Sequence, residues 1–338
     1  MAKNARVFLP PEMANVYERH EKLGINRVTS LKRHHEKSRR YRQRHSPKRF
    51  RLKKIAHLPG VAVWIVDGTA IRREVDVDFT MGGHGYRYLY VPLDEIWIDR
   101  ANAHSDDLRP TIWHEYFERI LMRNYRFSYE LAHKLACRLE ITLRNGKTFV
   151  LPVGTYRQET GFCGPATLKI YLSYLGRNLS EKYLARLCKT TAEKGTDPVE
   201  IVTTARKLGF RVRHRGRPLT EREIRRYCRM AQPERNPRRE LIDKVKKQAA
   251  GVKVRKAWTV KTVKESIRKG RPILANIQVN REYGNGHYVL IIGFAKDRFV
   301  LSDPGDDRGY REVPIPEFME LWYELEDGTV HEGFAIDV

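Results

Sequence analysis

The stretch Gln158-Glu159-Thr160-Gly161-Phe162-Cys163-Gly164-Pro165-Ala166-Thr167 decides how this chain is read. A cysteine stands there directly before a Gly-Pro pair, and the residues after it have the spacing of a helix running from Ala166 to Leu175, stopped by Gly176. Proline fits a first helical turn, where its missing N–H leaves no bond unmade. A helix N-terminus places partial positive charge beside a neighbouring sulfur and favours the thiolate, the nucleophilic form of cysteine. Gly164 leaves the backbone bare where a substrate carbonyl has to approach. The other cysteines, Cys137, Cys188 and Cys228, have no such setting and read as structural thiols.

Two later segments answer the cysteine. Gly286-His287-Tyr288 opens a strongly apolar strand, and Ser302-Asp303-Pro304 closes the next one. The short connection Lys296-Asp297-Arg298 makes these strands antiparallel neighbours, which brings His287 and Asp303 within reach of each other. A histidine at a strand mouth suits a general base. A carboxylate on its second nitrogen fixes the tautomer and stabilises the imidazolium. Each residue alone has a bland explanation, as a structural thiol, a turn histidine or a capping aspartate. Together, in this order, they predict acyl transfer at a thiol.

Cys163-Gly164-Pro165-Ala166-Thr167-Leu168, Tyr174-Leu175-Gly176, Gly195-Thr196, Gly286-His287-Tyr288-Val289 and Ser302-Asp303-Pro304 resemble the C39-like branch of papain-fold cysteine peptidases. The resemblance covers about residues 150–335. It implies Cys163 as nucleophile, His287 as general base and acid, Asp303 as orienting group, and Gln158 as oxyanion donor, with a peptide or protein as substrate. The family glutamine usually lies one residue further from the cysteine, which shifts weight to the backbone N–H of Cys163. No cofactor is required for such a site.

Outward from this core the chain divides into three expected parts: a basic N-terminal arm over 1–57, a small α+β domain over 58–146, and a papain-like lobe over 147–338 carrying a basic insert at 211–256. The whole is thus of α+β class. A formal net charge of +24 calls for an anionic partner, most simply nucleic acid, met through residues 32–54 and 211–256. A helix is expected over Pro11–Leu23. The cationic run after it repels itself and holds too few apolar residues to pack, so it reads as flexible. With 41% hydrophobic residues the rest supports a real core. The absence of a long apolar window excludes a membrane span, and the N-terminus shows no secretory signal. Four scattered cysteines suit a reducing, cytoplasmic setting. Virion association is the expectation that goes with a phage-type reading of the chain.

In the middle domain, strands are expected at Val61–Val66, Val75–Phe79, Tyr86–Val91 and Glu95–Asp99, with Ser128 capping a helix that ends near Leu139. Asn145-Gly146 is expected to turn a hairpin between Leu139–Leu143 and Thr148–Leu151. The helix Trp113-His114-Glu115-Tyr116-Phe117-Glu118-Arg119 sets His114 and Glu118 one turn apart on one face, with His133 on the next helix. These three form a candidate zinc site with Glu115 as general base. The spacing is similar to the zincin helix H-E-x-x-H with glutamate in the second histidine's place. Residues 75–133 also resemble small domains of phage-associated and uncharacterised microbial proteins. Two readings therefore compete with the thiol peptidase. One is a nucleic-acid-associated structural protein of phage or virus type whose peptidase lobe is degenerate. The other is a metallopeptidase acting through the His114 helix.

Overall fold

The structure is a computed structural model that describes residues 31–146, 148–231, 239–279, 286–307 and 309–338, with the side chains of 31–33 left aside. The expected helix over Pro11–Leu23 lies outside the described residues. The described chain forms two compact units. One extends to Pro152 and includes Tyr174–Gly176; the other comprises Val153–Ser173 and Arg177–Val338.

The first unit begins with α1 (Leu31–His45), a 3-10 turn (Pro47–Phe50) and β1 (Arg51–Leu58), which pairs antiparallel with β2 (Val61–Val66). After α2 (Gly68–Glu74) come β3 (Gly82–His84) and β4 (Glu95–Asp99), giving the sheet order β1-β2-β4-β3 with β2 and β4 parallel. The hydrophobic core gathers Phe50, Val66, Ile71, Phe79, Tyr90, Val91 and Trp97. Two long helices follow, α3 (Leu108–Tyr125) and α4 (Tyr129–Arg144), then β5 (Thr148–Val150). Ser128 caps α4 as expected, accepting from Leu131 N–H.

Residues 34–57 correct the expectation of an unpacked arm. Basic side chains such as Lys37, Arg39, Arg40, Lys53 and Lys54 are exposed, but Ser38, Pro47 and Phe50 are buried. Arg42 reaches the Val91 carbonyl at 3.4 Å, and Arg51 pairs with Glu95 while lying over the Trp64 ring. Inward acceptors for two arginines, with Phe50 in the core and Tyr41 packed against it, offset the repulsion that composition alone suggests.

Other expected elements also differ. Val75–Phe79 and Tyr86–Val91 form turns instead of strands, held by Tyr88 N–H to His84 O (3.0 Å) and Val91 N–H to Tyr88 O (3.2 Å). Their alternating aromatics pack on one another within this coil, with Tyr88 and Tyr90 ring centroids 5.2 Å apart. Leu139–Leu143 is the end of α4, because Leu131, Leu135 and Leu139 continue one buried helical face. Asn145-Gly146 stops that helix, with Gly146 at φ +63°, and does not turn a hairpin.

The second unit starts with α5 (Cys163–Tyr174), α6 (Glu181–Leu187) and α7 (Pro198–Lys207), followed by β6 (Arg211–Pro218), α8 (Glu221–Ala231), α9 (Arg239–Gly251) and α10 (Val260–Arg268). Then come β7 (Ile273–Gln278), β8 (Gly286–Ala295), β9 (Arg298–Ser302), β10 (Tyr310–Pro314), α11 (Ile315–Leu321), β11 (Tyr323–Glu324) and β12 (Thr329–Asp337). The antiparallel sheet runs β10-β9-β8-β7-β12-β11, and β6 also pairs with β12. The stretch 211–256 is therefore not a simple insert. It supplies β6 to the sheet, and its helices bury Ile224, Tyr227, Cys228 and Val245 against Tyr323, Leu325 and Val330.

Helix α5 is buried over most of its length, with Ala166, Leu168, Tyr171 and Leu172 inaccessible. Tyr171 ties it to the sheet: its hydroxyl lies 2.7 Å from the Pro272 carbonyl and 3.1 Å from that of Ile336, and it accepts from Ile336 N–H at 2.7 Å. Tyr171→Phe is expected to leave these buried backbone groups short of a partner and to cost about 1–3 kcal/mol in denaturant unfolding. A change below a few tenths of a kcal/mol would show that the hydroxyl is dispensable. Among the described residues no helix is long and apolar enough to cross a membrane.

Candidate active site

Cys163 is the first residue of α5, which opens three residues earlier than the start at Ala166 that the sequence suggested. The helix meets the sheet through Thr167, whose buried hydroxyl donates to the Tyr288 carbonyl at 2.9 Å, one residue from His287. Tyr288 in turn donates from its own hydroxyl to Thr196 O at 3.0 Å. Gly164 has a different reason from the one the sequence suggested. A Cβ there would meet Thr196 Oγ1 at 2.5 Å, so glycine lets the Thr196 loop close on the start of the helix.

His287 sits at the start of β8, and β9 runs antiparallel beside it, with Leu290 opposite Ser302. That register carries Asp303 to the histidine: Nε2 of His287 lies 2.6 Å from Asp303 Oδ1. Cys163 stands near the same ring and favours its protonated form. Burial works against the imidazolium, but the Asp303 hydrogen bond and the nearby Cys163 outweigh it and raise His287 to about 9. For Asp303, burial again opposes the charge. The His287 contact, with help from Gly305 N–H at 2.9 Å and the positive charge of Arg311, holds its carboxyl below the usual range.

Two of these partners were not read from the sequence. Gly305 N–H donates from the turn after β9, and Arg311 Nε lies 2.8 Å from Asp303 Oδ2, an ion pair whose N–H is not aimed along that line. The available signal was the turn after Pro304, with Gly309 at φ +74°, which sends β10 back along β9 and past Asp303. Gln158 is pinned to the same turn by its backbone N–H, which donates to Pro304 O at 3.0 Å. Its side-chain Oε1 is buried without a hydrogen-bond partner.

The second predicted cluster lies within the first unit. Glu118 Oε2 is 2.9 Å from His133 Nδ1, which is 3.2 Å from His114 Nε2. The sequence reading missed His84, whose Nε2 lies 2.9 Å from Glu118 Oε1, and Glu140, whose Oε2 lies 2.9 Å from His114 Nδ1. Glu140 was hidden by the expected strand at Leu139–Leu143. Burial opposes the charge on Glu118, yet contacts with His114, His133 and His84 hold it low. Burial pushes neighbouring Glu115 up to about 8.

The lobe is mixed α+β, with a cysteine at a helix N-terminus and a histidine paired with an aspartate on adjacent strands. Over residues 150–330, more than half its length, the chain matches the Peptidase_C39 like family, to which it belongs, and it is thus a cysteine peptidase. Among solved structures, the peptidase domain of Streptococcus ComA, described as a bifunctional ABC transporter involved in a quorum-sensing pathway, is 19% identical. That match covers 57% of this chain and 98% of that one, with a TM-score of 0.34. A double-glycine-motif protease from an AMS/PCAT transporter, solved with a leader peptide, is 15% identical over 57% and 92% of the two chains at a TM-score of 0.31. A C39-like peptidase from Bacillus anthracis, itself described as putative, is 13% identical over 57% and 98% at 0.37. No curated protein matches the chain.

Proposed function

We propose that this chain cleaves a peptide bond through a Cys163–His287–Asp303 triad. The observation that carries the reading is His287 Nε2 at 2.6 Å from Asp303 Oδ1, with the Cys163 thiol near enough to favour the protonated ring. Cys163 transfers its proton to His287, and the thiolate attacks the substrate carbonyl carbon. The backbone N–H of Cys163 and the Gln158 side-chain amide donate to the resulting oxyanion. Imidazolium gives its proton to the leaving amine, which departs as the C–N bond breaks and a thioester remains. His287 then takes a proton from water, the hydroxide adds to the thioester, and the acid product leaves with Cys163 restored. Asp303 keeps the ring in one tautomer and offsets the imidazolium charge throughout.

Thiol selectivity tests the first step. Burial pushes Cys188 and Cys228 up to about 11 and raises Cys137 as well, while Cys163 lies partly exposed beside His287. With limiting iodoacetamide at neutral pH, Cys163 is expected to be alkylated roughly tenfold or more ahead of the other three, as read by peptide mass mapping. Equal rates at Cys137 and Cys163 would remove the support for an activated nucleophile.

A further inference from the structure

We infer that the first unit holds a divalent transition-metal site of the zinc class, with His114 Nε2, His133 Nδ1 and Glu118 Oε2 as ligand atoms and a fourth position open. It is independent of the thiol chemistry proposed above.

The three atoms surround one point. Their separations are 2.9 Å (Glu118 to His133), 3.2 Å (His114 to His133) and 3.6 Å (His114 to Glu118). Tetrahedral zinc holding nitrogen and oxygen ligands at about 2.0–2.2 Å keeps those atoms about 3.3–3.6 Å apart. The triangle needs to open by only a few tenths of an ångström on its shortest edge. Spacing within α3 explains part of this: residues 114 and 118 are one turn apart and share a face. Residue 133 is brought opposite by the antiparallel packing of α4.

Each ligand is also held from behind in the way a metal ligand needs. His114 gives its Nδ1–H to Glu140 Oε2 at 2.9 Å, which leaves Nε2 as the nitrogen turned toward the point. His84 accepts from Tyr86 N–H at Nδ1 (3.1 Å), so its Nε2 is the donor to Glu118 Oε1 at 2.9 Å. That bond leaves Glu118 Oε2 facing inward. The other nitrogen of His133, Nε2, lies 3.6 Å from the Cys137 sulfur, and that thiol also comes within 4.8 Å of a His114 nitrogen; the inferred ligand set leaves it out. Orienting contacts of this kind tune and fix metal-bound imidazoles and carboxylates.

Nitrogen and carboxylate donors in a three-plus-one arrangement suit zinc in preference to magnesium or calcium.

The probe is Co2+ added to metal-free, full-length protein carrying Cys163→Ala, so that the reactive thiol cannot hold the ion. The expected result is one Co2+ per chain with the intense visible band of tetrahedral cobalt and no thiolate-to-cobalt charge-transfer band. His133→Ala is a mild change, because that side chain is 43% exposed, and it is expected to weaken Co2+ binding at least tenfold. Glu140→Gln, which removes only the group behind His114, is expected to weaken it by about 10-fold or more in competition with a chromophoric chelator. His57→Ala, an exposed histidine elsewhere in the same unit, is the unchanged control. Zinc is expected to raise the thermal midpoint of the parent protein and not of a folded His133→Ala protein. Binding below one ion per chain, equal affinity in His133→Ala, or a charge-transfer band assigning Cys137 as a ligand would each overturn this ligand set.

Discussion

Cys163→Ala is expected to lower peptide turnover by roughly 10⁶-fold, and His287→Ala to do nearly the same. In the proposed mechanism the two residues act as one unit, because the thiolate forms by proton transfer to the imidazole. The double variant should therefore be no slower than either single one, and the two losses should not multiply. Stability supplies the contrast. Cys163 is only partly buried at the edge of α5, while Leu168, Tyr171 and Leu172 carry the packing. Cys163→Ala is accordingly expected to shift unfolding by no more than about 0.5 kcal/mol. The assay is cleavage of an unbiased peptide mixture read by mass spectrometry. Retention of a tenth of the parent rate by Cys163→Ala would assign the hydrolysis elsewhere, and a fully additive double variant would separate the cysteine from the histidine.

Sequence reading reached this site because each member sits where local rules are strong. A Gly-Pro pair before an apolar run marks a helix start, and Lys296-Asp297-Arg298 between two apolar strands leaves little choice but an antiparallel pair. The helix opens at Cys163, and β8 and β9 pair with Leu290 opposite Ser302, so the histidine and aspartate come into line. What escaped was non-local. Arg311 reaches Asp303 only because β10 folds back along β9, and nothing near Arg311 in the chain announces a carboxylate. Thr196 constrains Gly164 from a loop more than thirty residues away.

The first unit was harder to read for a related reason. Leu139–Leu143 has strand-like composition, and the following Asn-Gly normally turns hairpins, yet the i, i+4 face of Leu131, Leu135 and Leu139 kept it helical. That one misassigned turn concealed Glu140, the residue that orients His114. Charge density misled in the same way at residues 34–57, where composition reports repulsion but not the acceptors, such as Glu95 and the Val91 carbonyl, that tertiary packing brings to the arginines. Spacing on one helix, by contrast, was enough to group His114 with Glu118.

Asp303→Asn is expected to cut turnover by roughly 10⁴-fold and to move the alkaline limit of activity to lower pH. The amide can still meet His287, but it lacks the charge that, with Cys163, overcomes burial and raises the imidazole to about 9. Burial alone favours the neutral ring, so the variant loses the proton-donating imidazolium at a lower pH. In the parent protein kcat should hold through neutral pH and fall as the medium passes about 9, where the acid that protonates the leaving amine disappears. Stability carries the same sign. A histidine whose folded pKa lies above its ordinary 6.5 stabilises the fold fully below that ordinary value, and the contribution is lost as pH rises through about 9. For a ring this buried the contribution is on the order of 3 kcal/mol, and Asp303→Asn should flatten most of it. Arg311 keeps its charge in the variant, which opposes an imidazolium nearby and pushes the limit further down. An alkaline limb that stays where it was, with kcat reduced, would mean that Asp303 orients the ring without setting its charge. An unchanged kcat would remove it from the triad.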